Sequence, residues 1–428
     1  MTTATFIKLK DIWRENPYSD PPIGLLSVAS NAKRVIYKGE PLEVKLLDMA
    51  YETEIPKSDI YGLSACSLDM PELLNVAHRI RQEKGGLIVA GGAHFDSFKK
   101  EYWDKEIKEL PIDVICLGEG EHTFPKAVHS LDDRVKKVIE EHSACNLDLL
   151  DFPAWDLLDK EKYFSSKNGT MMTSRGCYAR CAFCASPHIH QSRVRFRSVA
   201  NVEKELDMLI KDYGLNFIRF QDDSMILNAR RFEKMAYMIG SKGINYRCSM
   251  RTDQVTDDVL YLLKNSGCTE IGFGIESAEQ HVLDLLNKNN TVDNNRRALL
   301  KAKEYNFKTR AFIMTGLPGE SKTSAETMIK FLSQTNPDVV TMTSFTPLPG
   351  SDIYNHPEKY GVEIIDKDWS KYNIAIKLTP GAPFVHKLST ATTEEMELNR
   401  ELLKEYLFNR NKSNVQAYNR PYKRGEFK

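Results

Sequence analysis

Apolar residues in the first part of the chain come in short runs separated by longer mixed stretches. Thr5–Leu9, Glu43–Asp48, Ile60–Ala65, Leu87–Ala90 and Asp113–Leu117 read as strands. Between the third and fourth, Pro71–Gln82 places Leu73, Leu74, Val76, Ala77 and Ile80 at helical spacing. Short apolar strands alternating with helices predict a parallel sheet covered on both faces. The second part repeats the alternation. Met171–Ser174, Phe217–Gln221, Tyr246–Met250, Glu270–Ile275, Arg310–Thr315 and Val339–Thr343 are strand-like. Val202–Tyr213, Ala229–Lys242, Asp257–Asn265, Val292–Tyr305 and Ser324–Gln334 are helical between them. Such a run of strand–helix units predicts an open, partial version of the eightfold barrel, with its active site at the C-terminal ends of the strands.

The fold class is therefore α/β: an N-terminal Rossmann-like parallel sheet over 1–145, a linker over 146–168, and a partial (β/α)6 barrel over 169–356. A small α-rich segment over 357–408 and a polar, basic tail over 409–428, expected to be disordered, complete the chain. In the linker, Pro153 stands amid large apolar residues, and Trp155 reads as a packing anchor. The later segment holds Trp369, Tyr372 and Ile376. It ends in a helix over Thr392–Phe408, with Thr392 or Thr393 as N-cap and Glu394 and Glu395 in the first turn.

Charge adds little. The 428 residues carry 59 basic and 59 acidic side chains, which makes no global case for nucleic-acid or membrane-surface binding. The N-terminus lacks the layout of a signal peptide, and no stretch approaches the roughly 18 apolar residues of a spanning helix. The expectation is a cytoplasmic monomer. Eight cysteines in so long a chain do not suggest a disulfide framework. Cys66, Cys116, Cys145, Cys248 and Cys268 are scattered, mostly in apolar runs, and read as core residues.

The other three cysteines are different. Cys177, Cys181 and Cys184 stand at the spacing C-x3-C-x2-C, directly after the first barrel strand. Three thiolates can hold three corners of an iron–sulfur cluster and leave the fourth iron open. A zinc site is the alternative. Zinc usually takes four ligands, and His188 and His190 lie close enough in sequence to contribute.

Loops after the strands of the first half are the second candidate site, because ligands of open α/β sheets bind beyond the strands' C-terminal ends. They hold Gly24, Ser64, Ala65, Cys66, Gly91, Gly92, His94, Gly118, Glu119, Gly120 and Glu121. Glycines there serve either close approach to a ligand or ordinary turns. Glu119 and Glu121 read as a hydrogen-bonding or solvated pair rather than a catalytic one. His94 could reach a ligand or cap a helix.

The run Arg175-Gly176-Cys177 to Phe183-Cys184 resembles the signature of the radical S-adenosylmethionine (SAM) enzymes. The resemblance implies a 4Fe-4S cluster on the three cysteines and SAM chelated to the open iron. It also implies reductive cleavage of SAM to methionine and a 5′-deoxyadenosyl radical, fed by an electron donor such as flavodoxin or ferredoxin. Phe183 belongs to the motif. Asp222 or Asp223 would meet the SAM amine, unless either caps the next helix. Arg251 would hold the SAM carboxylate and Ser249 the ribose. Glu276 would make a polar SAM contact or pair with Arg251. Gly316 and Leu317 would approach the adenine.

The first half is similar to the cobalamin-binding domain that precedes the barrel in one large subgroup. Gly91-Gly92-Ala93-His94 and Gly118-Glu119-Gly120-Glu121 with Phe124 carry the likeness. The loop Ala65–Met70 departs from the D-x-H-x-x-G pattern and offers no histidine to cobalt. The subgroup implies a methyltransferase acting on an unactivated carbon of a small molecule or peptide, with the segment over 357–408 closing the barrel. A cyclase, oxidase or rearranging enzyme of the same architecture, with cobalamin absent or otherwise used, stands beside it.

Overall fold

The computed structural model describes residues 1–10, 16, 18–133, 135–142, 146–372 and 383–412. Cys145, Ile376 and most of the basic tail lie outside them. The first sheet contains β1 (Thr3–Lys8), β2 (Glu43–Asp48), β3 (Ile60–Ser64), β4 (Leu87–Gly91), β5 (Val114–Gly118) and β6 (Lys137–Glu141). They lie in the order β2-β1-β3-β4-β5-β6, all parallel. Successive side chains alternate between two cores, as the strand period requires. Phe6, Ile60, Val114 and Cys116 pack on one face. Ile7, Tyr61, Ile115 and Leu117 pack on the other. The strand order reverses between β1 and β3, which opens a crevice at their C-terminal ends.

Several elements of the first half, two of them next to the cavity or at the sheet's edge, were not legible in the sequence. Ile23–Ala32 forms helix α1, which buries Leu25, Leu26, Ala29 and Ala32 and places Gly24 in its first turn rather than in a loop. Its small residues and the preceding prolines hide the helical period. The edge strand β6 is polar on its exposed side and is not among the strands the sequence predicts. Helices α2 (Met70–Glu83) and α3 (Gly120–Val128) add to the cover, and α3 takes Gly120 and Glu121, expected in a loop, into its first turn.

The second sheet contains β7 (Asn168–Met171), β8 (Phe217–Phe220), β9 (Asn245–Met250), β10 (Cys268–Glu276), β11 (Lys308–Thr315) and β12 (Val339–Ser344). Its order is β12-β11-β10-β9-β8-β7, again parallel. Helices α4 (Val199–Tyr213), α5 (Ala229–Ser241), α6 (Asp257–Asn265), α7 (Val292–Glu304) and α8 (Ser324–Thr335) join the strands as the pattern anticipates. The first barrel strand lies three residues earlier than expected. Ser174 and Arg175 instead pair antiparallel with Phe196 and Arg195 in a short ribbon that closes the cysteine loop.

The linker lies across α1 and the barrel. Trp155 is buried, and its indole N–H donates to Glu205 at 2.9 Å. Helix α9 (Thr393–Lys412) packs on α8, and Thr392 caps it by accepting from the Glu395 amide at 3.2 Å. Among the described residues no helix is long and apolar enough to cross a membrane.

Candidate active site

The cysteine loop begins at Gly176, whose φ of +90° and lack of a side chain are both required. A Cβ there would stand 2.1 Å from the Arg193 carbonyl oxygen. Further along, the Ala182 amide donates to the Leu286 carbonyl at 2.8 Å, and Ala182 accepts from the Ile353 amide at 3.1 Å. The loop is thus tied to both sides of the barrel mouth. Burial pushes the Cys184 thiol up to about 12 and raises that of Cys177.

Two cations face the middle cysteine. Arg251 Nη1 lies 4.0 Å from Cys181 Sγ. Lys288, buried beside it, sits with its ammonium 5.6 Å from the Phe183 ring centroid. This positive lining suits a thiolate-bound anionic cluster. No group of three or more His, Cys, Asp or Glu among the described residues is arranged to hold a single metal ion, so His188 and His190 do not complete a zinc site with the cysteines. Thiolates on separate corners of a cluster stand wider apart than ligands round one ion, and the donor set fits a cluster.

At the strand ends, the structure sorts the expected residues. Asp222 is buried and occupied: it accepts from the Thr173 amide at 2.7 Å, from the Thr173 hydroxyl, and from the Ser174 hydroxyl at 2.7 Å. It braces the entry to the cysteine loop. Asp223 accepts from Ser186 at 2.8 Å on the exposed side, just past the third cysteine. Neither caps α5, which Asn228 caps. Ser249 is half-buried, its hydroxyl over Gly272 beside the Phe312 ring. Arg251 pairs with Asp253 at 2.8 Å and donates to the carbonyls of Lys288 and Asn289 at 2.9 and 3.1 Å.

Glu276 does not pair with Arg251 as one reading anticipated. The strand register shifts between Gly274 and Glu276, and Glu276 takes a φ of +61°. That turn aims its carboxylate at Lys288, 2.8 Å away. Gly316 also has a positive φ, +80°, and both its backbone groups are taken: its amide donates to Glu320 at 2.8 Å, and its carbonyl accepts from His386 at 2.8 Å. Leu317 is buried. Lys288, Glu320 and His386 were missed from sequence. The only signal was the Gly-Leu-Pro-Gly-Glu run, which read as a turn.

Beyond the C-terminal ends of β1, β3, β4 and β5 lies a cavity of ≈ 240 Å³. Gly24, Ser64, Gly91, Gly92, Gly118, Glu119, Gly120 and Glu121 line it as expected. Ala65, Cys66 and His94 do not. Ala65 is buried in the sheet's core, and Cys66 is exposed, donating to Asp69 at 2.9 Å. His94 is buried among Phe95, Phe98, Trp103 and Trp369, with Nδ1 2.9 Å from the Ser67 hydroxyl. Burial holds its pKa down to about 4, so it stays neutral. The polar group that does reach the cavity from this turn is Asp96, two residues on. Burial pushes its carboxyl up to about 7 although it accepts from the Gly118 amide at 2.6 Å. Cys116, Cys248 and Cys268 are buried as expected, unlike Cys66.

The cavity's outer wall belongs to the barrel. Met172 and Arg175, before the cysteine loop, and Ile189 and His190, after it, close the space from the far side. Arg175 pairs with Glu119 and Glu121, and Arg195 with Glu119 at 2.6 Å. The two glutamates are neither catalytic in geometry nor solvated; they are salt-bridged across the two halves of the molecule.

A parallel half-barrel with a cysteine triad after its first strand defines a class. Residues 171–332 match the family model described as the radical SAM superfamily, and the chain is an enzyme carrying that domain. It is 29% identical over 384 residues to an uncharacterized methyltransferase of Pyrococcus horikoshii, covering 82% of this chain and 81% of that one. It is 27% identical over 351 residues to the anaerobic magnesium-protoporphyrin IX monomethyl ester cyclase of Rubrivivax gelatinosus, covering 74% of this chain and 61% of the cyclase. In fold it is similar to the radical SAM methyltransferase TsrM of Kitasatospora setae, solved with cobalamin and a 4Fe-4S cluster. The TM-score is 0.71 at 13% identity, covering 95% of this chain and 89% of that one.

Proposed function

We propose that this chain is a cobalamin-dependent radical SAM methyltransferase. One observation carries the reading: a glycine-walled cavity at the switch point of the first sheet is closed by the segments flanking the cysteine loop. A group bound there would face whatever the three cysteines hold. Cys177, Cys181 and Cys184 would ligate a 4Fe-4S cluster, Asp223 and Ser249 would meet SAM, and the cavity would take part of cobalamin. When bound, the cluster supplies the electron that cleaves SAM, and cobalamin supplies a transferable methyl group. Arg251 and Lys288 offset the negative charge at Cys181, while Glu276 and Asp253 hold those cations in place. The electron donor is proposed to be a flavodoxin or ferredoxin.

The cyclase name borne by the Rubrivivax relative favours a second reading, ring closure without methyl transfer. Product analysis separates the two. Protein grown with cobalamin, reconstituted anaerobically and given SAM and a strong reductant should release 5′-deoxyadenosine. Methyl transfer to reduced cobalamin should also release S-adenosylhomocysteine. Retained corrinoid with both products supports the methyltransferase. Deoxyadenosine without S-adenosylhomocysteine, or a preparation that retains no corrinoid, overturns it.

A further inference from the structure

Arg175 and Arg195 stand directly opposite each other in the ribbon that closes the cysteine loop. Like charges so placed repel, and they need a shared counter-charge. Glu119 provides it, one oxygen to each arginine, with Arg195 Nη2 at 2.6 Å from Oε1. Glu121 takes the second Nη of Arg175 at 2.5 Å and accepts from the Ser27 hydroxyl at 2.6 Å. The four charged side chains are at most 21% exposed, so solvent screens the network little.

Glu119, Glu121 and Arg175 also line the cavity. Arg175 is followed by Gly176, pinned by its positive φ and its contact with Arg193, and then by Cys177. There is no slack between the ion pairs and the first cysteine. On the other side of the loop, Ile189 and His190 reach the same cavity. A cavity occupant therefore bears on both ends of the segment that carries the three thiols.

We propose that Glu119, Glu121 and Arg175 are positioning residues that couple the cavity to the cysteine loop, so that a corrinoid in one and a cluster on the other strengthen each other's binding. The inference rests on the cofactor reading above. Its physical basis is shared ordering: whichever group binds first fixes the ribbon, and the second binds to a loop already held. Such coupling is reciprocal by linkage.

The test titrates the full-length protein with hydroxocobalamin before and after anaerobic reconstitution with iron and sulfide, reading corrin absorbance. Reconstituted protein should bind on the order of tenfold tighter, within the usual range of coupling between sites. In Glu119→Gln/Glu121→Gln that ratio should fall toward one, whatever the change in the absolute affinity for the corrinoid. Arg175→Lys keeps the charge but loses the forked geometry, and should fall between. Equal affinities in the two wild-type states, a comparison independent of any variant's folding, would overturn the coupling and leave the cofactor reading standing. No corrinoid binding in either state would overturn both. A full ratio retained in the double variant would remove these residues from the role.

Discussion

The ammonium of Lys288 and the carboxylate of Glu276 form a buried ion pair, 2.8 Å apart, beside Cys181. Burial works to lower the Lys288 pKa, and the Glu276 and Cys181 charges outweigh it, so the group lies above its ordinary value. Lys288→Met should leave Glu276 buried without a counter-charge and cost about 3–5 kcal/mol in denaturant unfolding. Adding Glu276→Gln should recover most of that loss, because the cost is that of the stranded charge rather than of the missing bond. A double variant no more stable than Lys288→Met would contradict this.

Gly176→Ala should disturb the cysteine loop specifically. Its Cβ meets backbone, not a movable side chain, and the left-handed conformation adds about 1–3 kcal/mol of strain. Iron bound per chain after reconstitution should fall severalfold, while far-ultraviolet circular dichroism stays near wild type. Unchanged iron content would show that the ribbon can shift without cost to the thiols.

Stability should depend on pH through the turn at Gly316. Burial pushes Glu320 up to about 8, against an ordinary 4.5. The folded state therefore holds a proton that the unfolded state releases, and this group's contribution is lost as pH rises from about 4.5 to about 8. Burial holds His386 down to about 4. Its contribution runs the other way, lost as pH falls from about 6.5 toward 4. Asp96, raised to about 7, adds a slope of the same sign that ends near pH 7, so between about 7 and 8 the Glu320 slope outlasts both Asp96 and His386. Melting temperature should drop across that window, and Glu320→Gln, which keeps an acceptor for the Gly316 amide, should flatten the drop.

Cys181→Ala should remove both a thiolate and the target of the Arg251 and Lys288 charges. Release of 5′-deoxyadenosine should fall to background, at least about 100-fold. Electron paramagnetic resonance of the reduced protein should lose the cluster signal. Retained SAM cleavage would mean that another ligand set is in use.

Much of this architecture is local in origin. The short apolar runs at Ile60–Ala65 and Leu87–Ala90 appear as β3 and β4 with small end shifts. The helical spacing over Pro71–Gln82 appears as α2. Where the pattern was weak, as in the small-residue helix α1 and the polar edge strand β6, packing against the sheet decided the outcome.

The site divides along the same line. Cys177, Cys181 and Cys184 lie within one loop, so their spacing already grouped the three thiols, and the glycines after β3, β4 and β5 already marked a cavity. Tertiary structure alone decided which side chains face one another. His94 turns into an aromatic core while Asp96 reaches the cavity, and Glu276 meets Lys288 instead of Arg251. Those directions follow from a few loop dihedrals, such as the positive φ of Glu276 and Gly92, and from packing between distant segments. Periodicity encodes the faces of strands and helices; it carries no record of where the chain points once the strand has ended.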